Sequence, residues 1–325
     1  MTTKKRVTIK DVARLADVTP QTVSRALRNT HDISEETKNK ILAIAEEIGY
    51  IKNSTATALR SGRAKLIAVI YDNLINFYFS VMTEYIRSAL GALGYSFVMI
   101  SVSTTKLDKN AYISALSQNA EGIISFLEPE EELGATIDIY RVPVILLGRR
   151  TSVKNVGFLY MDDVSGGRLA AERLAKDGCK KVMMISEPLE ISCAFDRHKG
   201  FEEECVALGL GVPEVISPVD MESKLKNIFS GKDKPDGIFC FNDIIAFEAL
   251  SIFERNGIAP VKLIGYDNLQ SEIRIPLRLT SIGTDKRAMA FETAEKIVDM
   301  VENGYREWQE KPAPRKVFLA EGTTA

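Results

Sequence analysis

The sequence predicts an α/β chain in which a small all-α head precedes two doubly wound lobes. Three observations carry this prediction. Residues 1–65 hold 13 Lys and Arg against 7 Asp and Glu, a balance of +6, whereas the remainder carries −8. Residues 8–27, TIKDVARLADVTPQTVSRAL, contain two short apolar patterns, each opened by its own capping signal. From Leu66 onward, short apolar runs alternate with amphipathic stretches in two similar series. Alternating strands and helices build parallel sheets covered on both faces, and two series make two lobes.

The head comes first. Thr8 followed three residues later by Asp11 is a capping-box start, and Val12, Leu15 and Ala16 share one helical face. Thr19 is the N-cap of a second helix, with Pro20 at the first helical position, where its missing N–H costs nothing. Val23, Ala26 and Leu27 form the buried side, leaving Gln21, Thr22, Ser24, Arg25 and Arg28 outward. A short helix, a tight turn and a second helix with an amide, hydroxyls and guanidinium groups outward is the helix-turn-helix pattern of major-groove readers. Two packed helices with a solvated face give the same local pattern. The charge split separates them, because a basic head on an acidic body is the footprint of a DNA-binding domain joined to something else. Ser34 then caps a third helix whose apolar face is Ile41, Leu42, Ala45 and Ile48, and Gly49 ends it. Residues 53–62, NSTATALRSG, are small and polar around one large apolar residue, Leu59. They read either as a hinge that orders on binding or as a plain linker.

In the body, residues 66–71, 95–101, 122–126 and 142–148 read as buried parallel strands, with helices near 78–92, 108–119 and 130–140 between them. The second series has strands at 181–186, 213–217, 237–241 and 262–266, and helices near 164–177, 195–208, 220–230 and 242–256. A helix near 284–303 precedes a last strand around KVFLA. Such sheets bind ligands outside the carboxyl ends of their strands, and two facing lobes make a cleft there.

At 325 residues the chain can hold two or three domains with sizeable cores. No apolar run approaches the ~20 residues of a membrane span, and the start lacks the apolar centre of a signal peptide, so a cytoplasmic protein is expected. Cys179, Cys193, Cys205 and Cys240 are widely spaced with no CxxC pair, which predicts reduced thiols and no metal site. Neither a GxSxG, nor a P-loop, nor a GxGxxG opening a helix after a strand is present. With only His31 and His198, acid–base work would fall on carboxylates, so no catalytic residues and no cofactor are predicted. The alternative is a cytoplasmic sugar-binding protein or an enzyme on the same two-lobed fold. A periplasmic binding protein would need a signal peptide and would lack the basic head.

A basic three-helix head, a hinge and two α/β lobes resemble the LacI/GalR family of bacterial transcriptional regulators over essentially the whole chain. The head carries T-I-K-D-V-A at 8–13, V-T-P-Q-T-V-S-R-A-L at 18–27 and I-G-Y at 48–50. The body carries R-x-x-G-F at 197–201, F-N-D at 241–243, I-G-Y-D-N at 264–268 and LTSI at 279–282. The resemblance implies a helix-turn-helix head at 1–51, a hinge helix at 52–63 and a periplasmic-binding-protein-like core at 64–325 with two Rossmann-like lobes. The first lobe would span about 64–160 plus 284–303, and the second about 161–283 plus 304–325.

The same resemblance implies roles. Pro20, Gln21 and Arg25 match base-reading positions, where Gln can pair with adenine and Arg with guanine. Thr8, Thr19, Ser24 and Ser34 match positions placed for phosphates. Asn53, Ala56 and Leu59 match the hinge, whose leucine wedges into the minor groove. Tyr78, Phe79, Asp162, Arg197, Asn242 and Asp267 match positions that hold a small-molecule effector, and their types suit a polyol. Asp162 and Asp163 also stand where they could simply cap the helix starting near Val164. Phe77, Tyr78 and Phe79 could be core, and Arg197 could make a surface salt bridge. Arg149 and Arg150 could favour a phosphorylated or acidic effector, or face water. The implied protein is a homodimeric repressor of a pseudo-palindromic operator, set by an effector that is a sugar or sugar derivative.

Three residues depart from the family pattern. Asp17 stands where the recognition turn usually has Gly, and Lys52 where a Pro usually precedes the hinge Asn. Phe77 replaces the usual Pro in the run Asn76, Phe77, Tyr78, Phe79, which bears on the shape of the pocket.

Overall fold

Local capping chemistry sets all three helices of the head. The computed structural model describes residues 7–27, 33–51, 63–273, 279–304 and 312–322, and the chain divides into two compact units, Met1–Ala64 and Lys65–Ala325. In the first unit, α1 (Ile9–Ala16) begins where the Thr8 N–H donates to the Asp11 carboxylate at 2.9 Å. Asp17 ends it in the left-handed conformation at φ 58°, its N–H donating to Ala13 O. Asp accepts that backbone at a small cost, so the turn keeps its shape without glycine. In α2 (Pro20–Ala26), the Thr19 hydroxyl accepts the Thr22 N–H at 3.2 Å. In α3 (Glu35–Glu47), Ser34 accepts the Thr37 N–H at 3.3 Å. At its end Tyr50 N–H reaches Ala45 O at 2.8 Å across Gly49 at φ +68°. That 6→1 bond around a left-handed glycine is the Schellman stop.

The head's core is smaller than the apolar spacing predicts. Val12, Ala13, Ala16, Val23, Ala26, Ile41 and Ala45 are buried together. Leu15 and Leu42, expected to belong to it, are 52% and 39% exposed, with Ala13 and Ile44 turned inward instead. In so small a bundle the inner stripe is narrow, and the neighbouring helix decides which adjacent apolar position it covers.

The second unit holds two parallel sheets, as predicted. The first joins β1 (Leu66–Tyr71), β2 (Ser96–Ser101), β3 (Gly122–Ser125), β4 (Val144–Leu147) and β5 (Val156–Leu159) in the order β2-β1-β3-β4-β5. Its helices are α4 (Phe77–Ala92), α5 (Lys109–Ser117) and α6 (Leu133–Tyr140). Alternation along β1 explains the layers. Ile67, Val69 and Tyr71 pack with α4 and with α11 (Lys286–Glu302), whereas Ala68 and Ile70 pack with α5 and α6. A strand covered on both faces reads as a continuous apolar run.

The second sheet has the order β11-β10-β9-β8-β6-β7. Its strands are β6 (Val182–Ile185), β7 (Glu214–Ile216), β8 (Gly237–Cys240), β9 (Lys262–Tyr266), β10 (Thr280–Thr284) and β11 (Val317–Ala320), the last pairing antiparallel with β10. Around it lie α7 (Asp163–Lys176), α8 (Ser192–Ala207), α9 (Met221–Ser230) and α10 (Asp243–Asn256). Two strands escape the sequence reading. In β5, VGFL carries a glycine, and in β10, TSIGT is mostly polar, so neither reads as an apolar run. Strand β10 is nonetheless buried throughout, because its hydroxyls find partners elsewhere in the chain: that of Ser281 donates to Asp243 at 2.6 Å and that of Thr284 to Lys316 O at 3.0 Å.

The chain passes between the lobes three times, after β5, after β10 and after α11. The crossings lie side by side, with Arg315 N–H donating to Tyr160 O and Asp162 N–H to Arg315 O, both at 2.8 Å.

Candidate functional site

Helix α2 presents one face to the head's core and the other outward. Val23 and Ala26 are buried, whereas Pro20, Gln21 and Arg25 are exposed, with Gln21 and Arg25 one helical turn apart. Thr8, Thr19 and Ser34 stand at the N-termini of the three helices as their N-cap residues, and Ser24 is half-buried on α2. Helix N-termini offer unpaired N–H groups and the positive end of the dipole, which suits anionic phosphate. Asn53, Ala56 and Leu59 lie outside the described residues.

The second site is a cleft at the carboxyl ends of the strands of both sheets. A small inner cavity of about 60 Å³ is lined by Tyr78, Phe79, Arg197, Asn242 and Asp267, together with Cys193. A larger outer cavity of about 530 Å³ shares Asn76, Phe79, Arg149, Phe241 and Asn242 with it. Five of the six residues expected around an effector therefore meet. Phe77 at the helix start is exposed, and Asn76 still caps α4 by accepting the Tyr78 N–H at 3.0 Å, so proline is not needed there.

Asp162, the sixth, stands apart from these cavities. Its two oxygens hold the N–H and hydroxyl of Ser165 at 3.1 and 2.7 Å, capping α7, and it lines neither cavity. Its neighbour Asp163, a hundred degrees around the helix, is the carboxylate that turns inward. It accepts from Arg197 Nε at 2.8 Å in a pair with side chains only 4% and 1% exposed. Arg197 also donates to Phe241 O at 2.6 Å and lies over the Tyr266 ring at 3.5 Å. The surface salt bridge is thus a buried one. Two glycines allow it: a Cβ at Gly167 would strike the Arg197 carbonyl and one at Gly200 would strike Val164, so α7 and α8 touch backbone to backbone. Burial pushes the Asp163 carboxyl up, and Arg197 opposes the shift.

The remaining polar groups of the inner cavity have spare capacity. Tyr78 is buried, and its hydroxyl has no hydrogen-bond partner among the described residues. Asn242 caps α10 with its Oδ1, at 2.9 Å from the Ile245 N–H, which leaves its amide NH₂ for the cavity it lines. Asp267 is buried in an unusual backbone conformation, φ 95°, followed by Asn268 at φ 45°. Burial pushes its carboxyl up to about 6, against Arg197 and Lys286, which hold it down. Positive φ at a non-glycine costs stability and concentrates at binding sites. Burial likewise raises the Cys193 thiol to about 11, which keeps it a neutral, inert wall of the cavity.

Arg149 and Arg150 part company. Arg149 lines both cavities, whereas Arg150 turns to Asp196 of the other lobe, with Nε at 2.9 Å and Nη2 at 2.6 Å. The Arg150 N–H donates to Ser192 Oγ at 2.9 Å, and Ser192 in turn donates its N–H and hydroxyl to Glu128 of the first lobe at 2.8 and 2.7 Å. Sequence reading finds none of these partners, since they lie 42 to 64 residues apart.

A family model for the bacterial regulatory proteins of the lacI family matches residues 8–53, and one for a periplasmic binding protein-like domain matches residues 171–321. The sucrose operon repressor of Streptococcus mutans is 31% identical over 268 residues, covering 80% of this chain and 82% of that protein. The chain belongs to the lacI family of bacterial regulatory proteins. The repressor PurR of Escherichia coli O139:H28 is 27% identical over 315 residues, covering 93% of this chain and 92% of that one. Among solved structures, the lac repressor dimer bound to operator and the anti-inducer ONPF aligns with a TM-score of 0.81 at 23% identity, over 98% of this chain and 99% of that one. The CelR–cellobiose complex aligns at 0.66 and 21% identity, over 98% and 100%. Both share the fold. As a LacI-family member the chain is a DNA-binding transcriptional regulator, and its curated relatives are repressors rather than enzymes. No described helix is long and apolar enough to cross a membrane, and no cluster of metal-ligating side chains occurs among the described residues.

Proposed function

We propose that the chain is a cytoplasmic, homodimeric repressor whose grip on a pseudo-palindromic operator is set by a sugar or sugar derivative held between the core lobes, with no cofactor. The single observation that carries the effector reading is the convergence of polar groups on one inner cavity: the buried Tyr78 hydroxyl, which has no hydrogen-bond partner among the described residues, the Asn242 amide and the Asp267 carboxylate. A buried hydroxyl without a partner is costly, and ligand hydroxyls can bond to all three groups. Arg197 donates to the Phe241 carbonyl and pairs with Asp163, so it anchors the wall that a sugar would touch. The CelR complex with cellobiose and the name of the sucrose operon repressor support a carbohydrate.

For the output, Gln21 and Arg25 read bases in the major groove, Pro20 adds an apolar contact, and Thr8, Thr19, Ser24 and Ser34 fix the head on phosphates. The head spans 1–51 and the hinge 52–63, where Asn53, Ala56 and Leu59 enter the minor groove. The core spans 64–325, in lobes of about 64–160 plus 284–303 and 161–283 plus 304–325. A ligand that changes the angle between the lobes moves the two hinges of the dimer, which couples the cleft to the operator. Calorimetric titration of the full chain with a carbohydrate panel tests the cleft. A sugar that binds the wild type and loses its affinity in Asp267→Asn supports the assignment, and one bound equally well by both proteins refutes it.

A further inference from the structure

The inner cavity, at about 60 Å³, has room for roughly two water molecules, so it can take only the tip of an effector. The body of the ligand must lie in the outer cavity of about 530 Å³, which is of ordinary ligand size. The charge lining that outer cavity therefore decides which ligands enter.

The lining is acidic. Asp72, Glu128, Glu187, Glu190 and Glu248 share it with two cations, Lys106 and Arg149, and of the five carboxylates Glu128 is held by Ser192. Arg150, the other cation at this edge, is committed to Asp196. One oxygen of Asp72 is buried with no hydrogen-bond partner among the described residues. Burial raises the Glu187 carboxyl, with Arg149 opposing and Asp72 adding to the rise. Beneath this ring the buried Tyr78 hydroxyl waits unpartnered at the wall of the inner cavity. These groups ask for hydrogen-bond donors. A hydroxyl can donate to Asp72 or Glu187 and accept from Arg149 or Lys106, whereas a phosphate would add a further anion to a lining in which carboxylates already outnumber cations.

We propose that the outer cavity is a subsite for the body of an uncharged polyhydroxy effector, and that Asp72 and Glu187 exclude phosphorylated sugars by charge. This rests on the effector reading of the cleft. It reverses what the adjacent arginines suggest from sequence, because one faces carboxylates in the cleft and the other never reaches it.

The test is calorimetric titration of the full chain with glucose, sucrose, cellobiose and maltose, set against glucose 6-phosphate and sucrose 6-phosphate. At least one neutral sugar is expected to bind, with its phosphate ester about tenfold or more weaker. In the double variant Asp72→Asn, Glu187→Gln, the phosphate ester should gain about tenfold over the wild type while the neutral sugar weakens. A phosphate ester that binds the wild type as tightly as its neutral counterpart, and still depends on Asp267, overturns the exclusion while leaving the cleft as the effector site. A panel in which neither class binds, or binds without regard to Asp267→Asn, overturns both.

Discussion

Arg150 and Asp196 tie the two lobes together through a paired contact, Nε to Oδ2 at 2.9 Å and Nη2 to Oδ1 at 2.6 Å. Arg150 follows β4 in the first lobe and Asp196 sits on α8 of the second, the helix that also carries Arg197 into the cleft. The same turn of α8 is held by Glu128 through Ser192. One rim of the cleft is thus a hydrogen-bonded seam between lobes.

Arg150→Ala leaves Asp196, whose side chain is 10% exposed, without its cation. Stranding a largely buried acceptor costs about 1–3 kcal/mol, which corresponds to a drop of several degrees in the melting temperature of a unit this size. Thermal unfolding of the variant against the wild type measures it. An unchanged melting temperature would show that the seam contributes nothing.

The Arg197–Asp163 pair is more deeply buried and should be less forgiving. Arg197→Met leaves an uncompensated carboxylate in the interior and is expected to cost about 3–5 kcal/mol. The double variant Arg197→Met, Asp163→Asn removes the stranded charge and should recover part of that loss. Urea unfolding of the three proteins reads the difference, and additive losses would contradict direct pairing.

Asp267 predicts a pH dependence with a definite sign. Its folded carboxyl is raised to about 6, above the unfolded value, so the folded state binds more protons between about pH 4 and 6. Stability is therefore lost as pH rises through that window, by on the order of 3 kcal/mol. Asp243, raised by burial to about 7, acts in the same direction. Asp267→Asn, which tolerates the same positive φ, should flatten the profile across pH 4 to 6. Superimposable profiles for the two proteins would rule out the raised carboxyl as the cause.

What could be read in the sequence followed the range of the interactions. The head's helices were legible because their signals are local: Thr8 with Asp11, Thr19 with Pro20, Ser34 at the third helix start, and Gly49 at the stop. Leu15 and Leu42 were misplaced because spacing identifies a stripe but not the neighbour that covers it. Asp162 and Asp163 are adjacent carboxylates at a helix start, and only the packing of α8 on α7 decides that the first caps and the second pairs. Strand β10 was missed because its burial depends on Asp243 and Lys316, distant groups that satisfy its hydroxyls. The division of labour between Arg149 and Arg150 was invisible for the same reason, since Asp196 and Ser192 reach back from the other lobe.

At the output end, Arg25→Ala should weaken a specific operator by about 1–3 kcal/mol and relax one base position. Fluorescence anisotropy on a specific and a random duplex separates the two roles. An equal loss on both would make Arg25 a phosphate contact.

Under the proposed function, the cleft and the operator face belong to one switch. Duplexes selected by the full chain from a random pool, followed by titration of the bound sugar with and without the selected duplex, test it most directly. A pseudo-palindromic site is expected. The sugar should change duplex affinity by the same factor by which the duplex changes sugar affinity, as linkage requires. A sugar affinity that is identical with and without the duplex would contradict it.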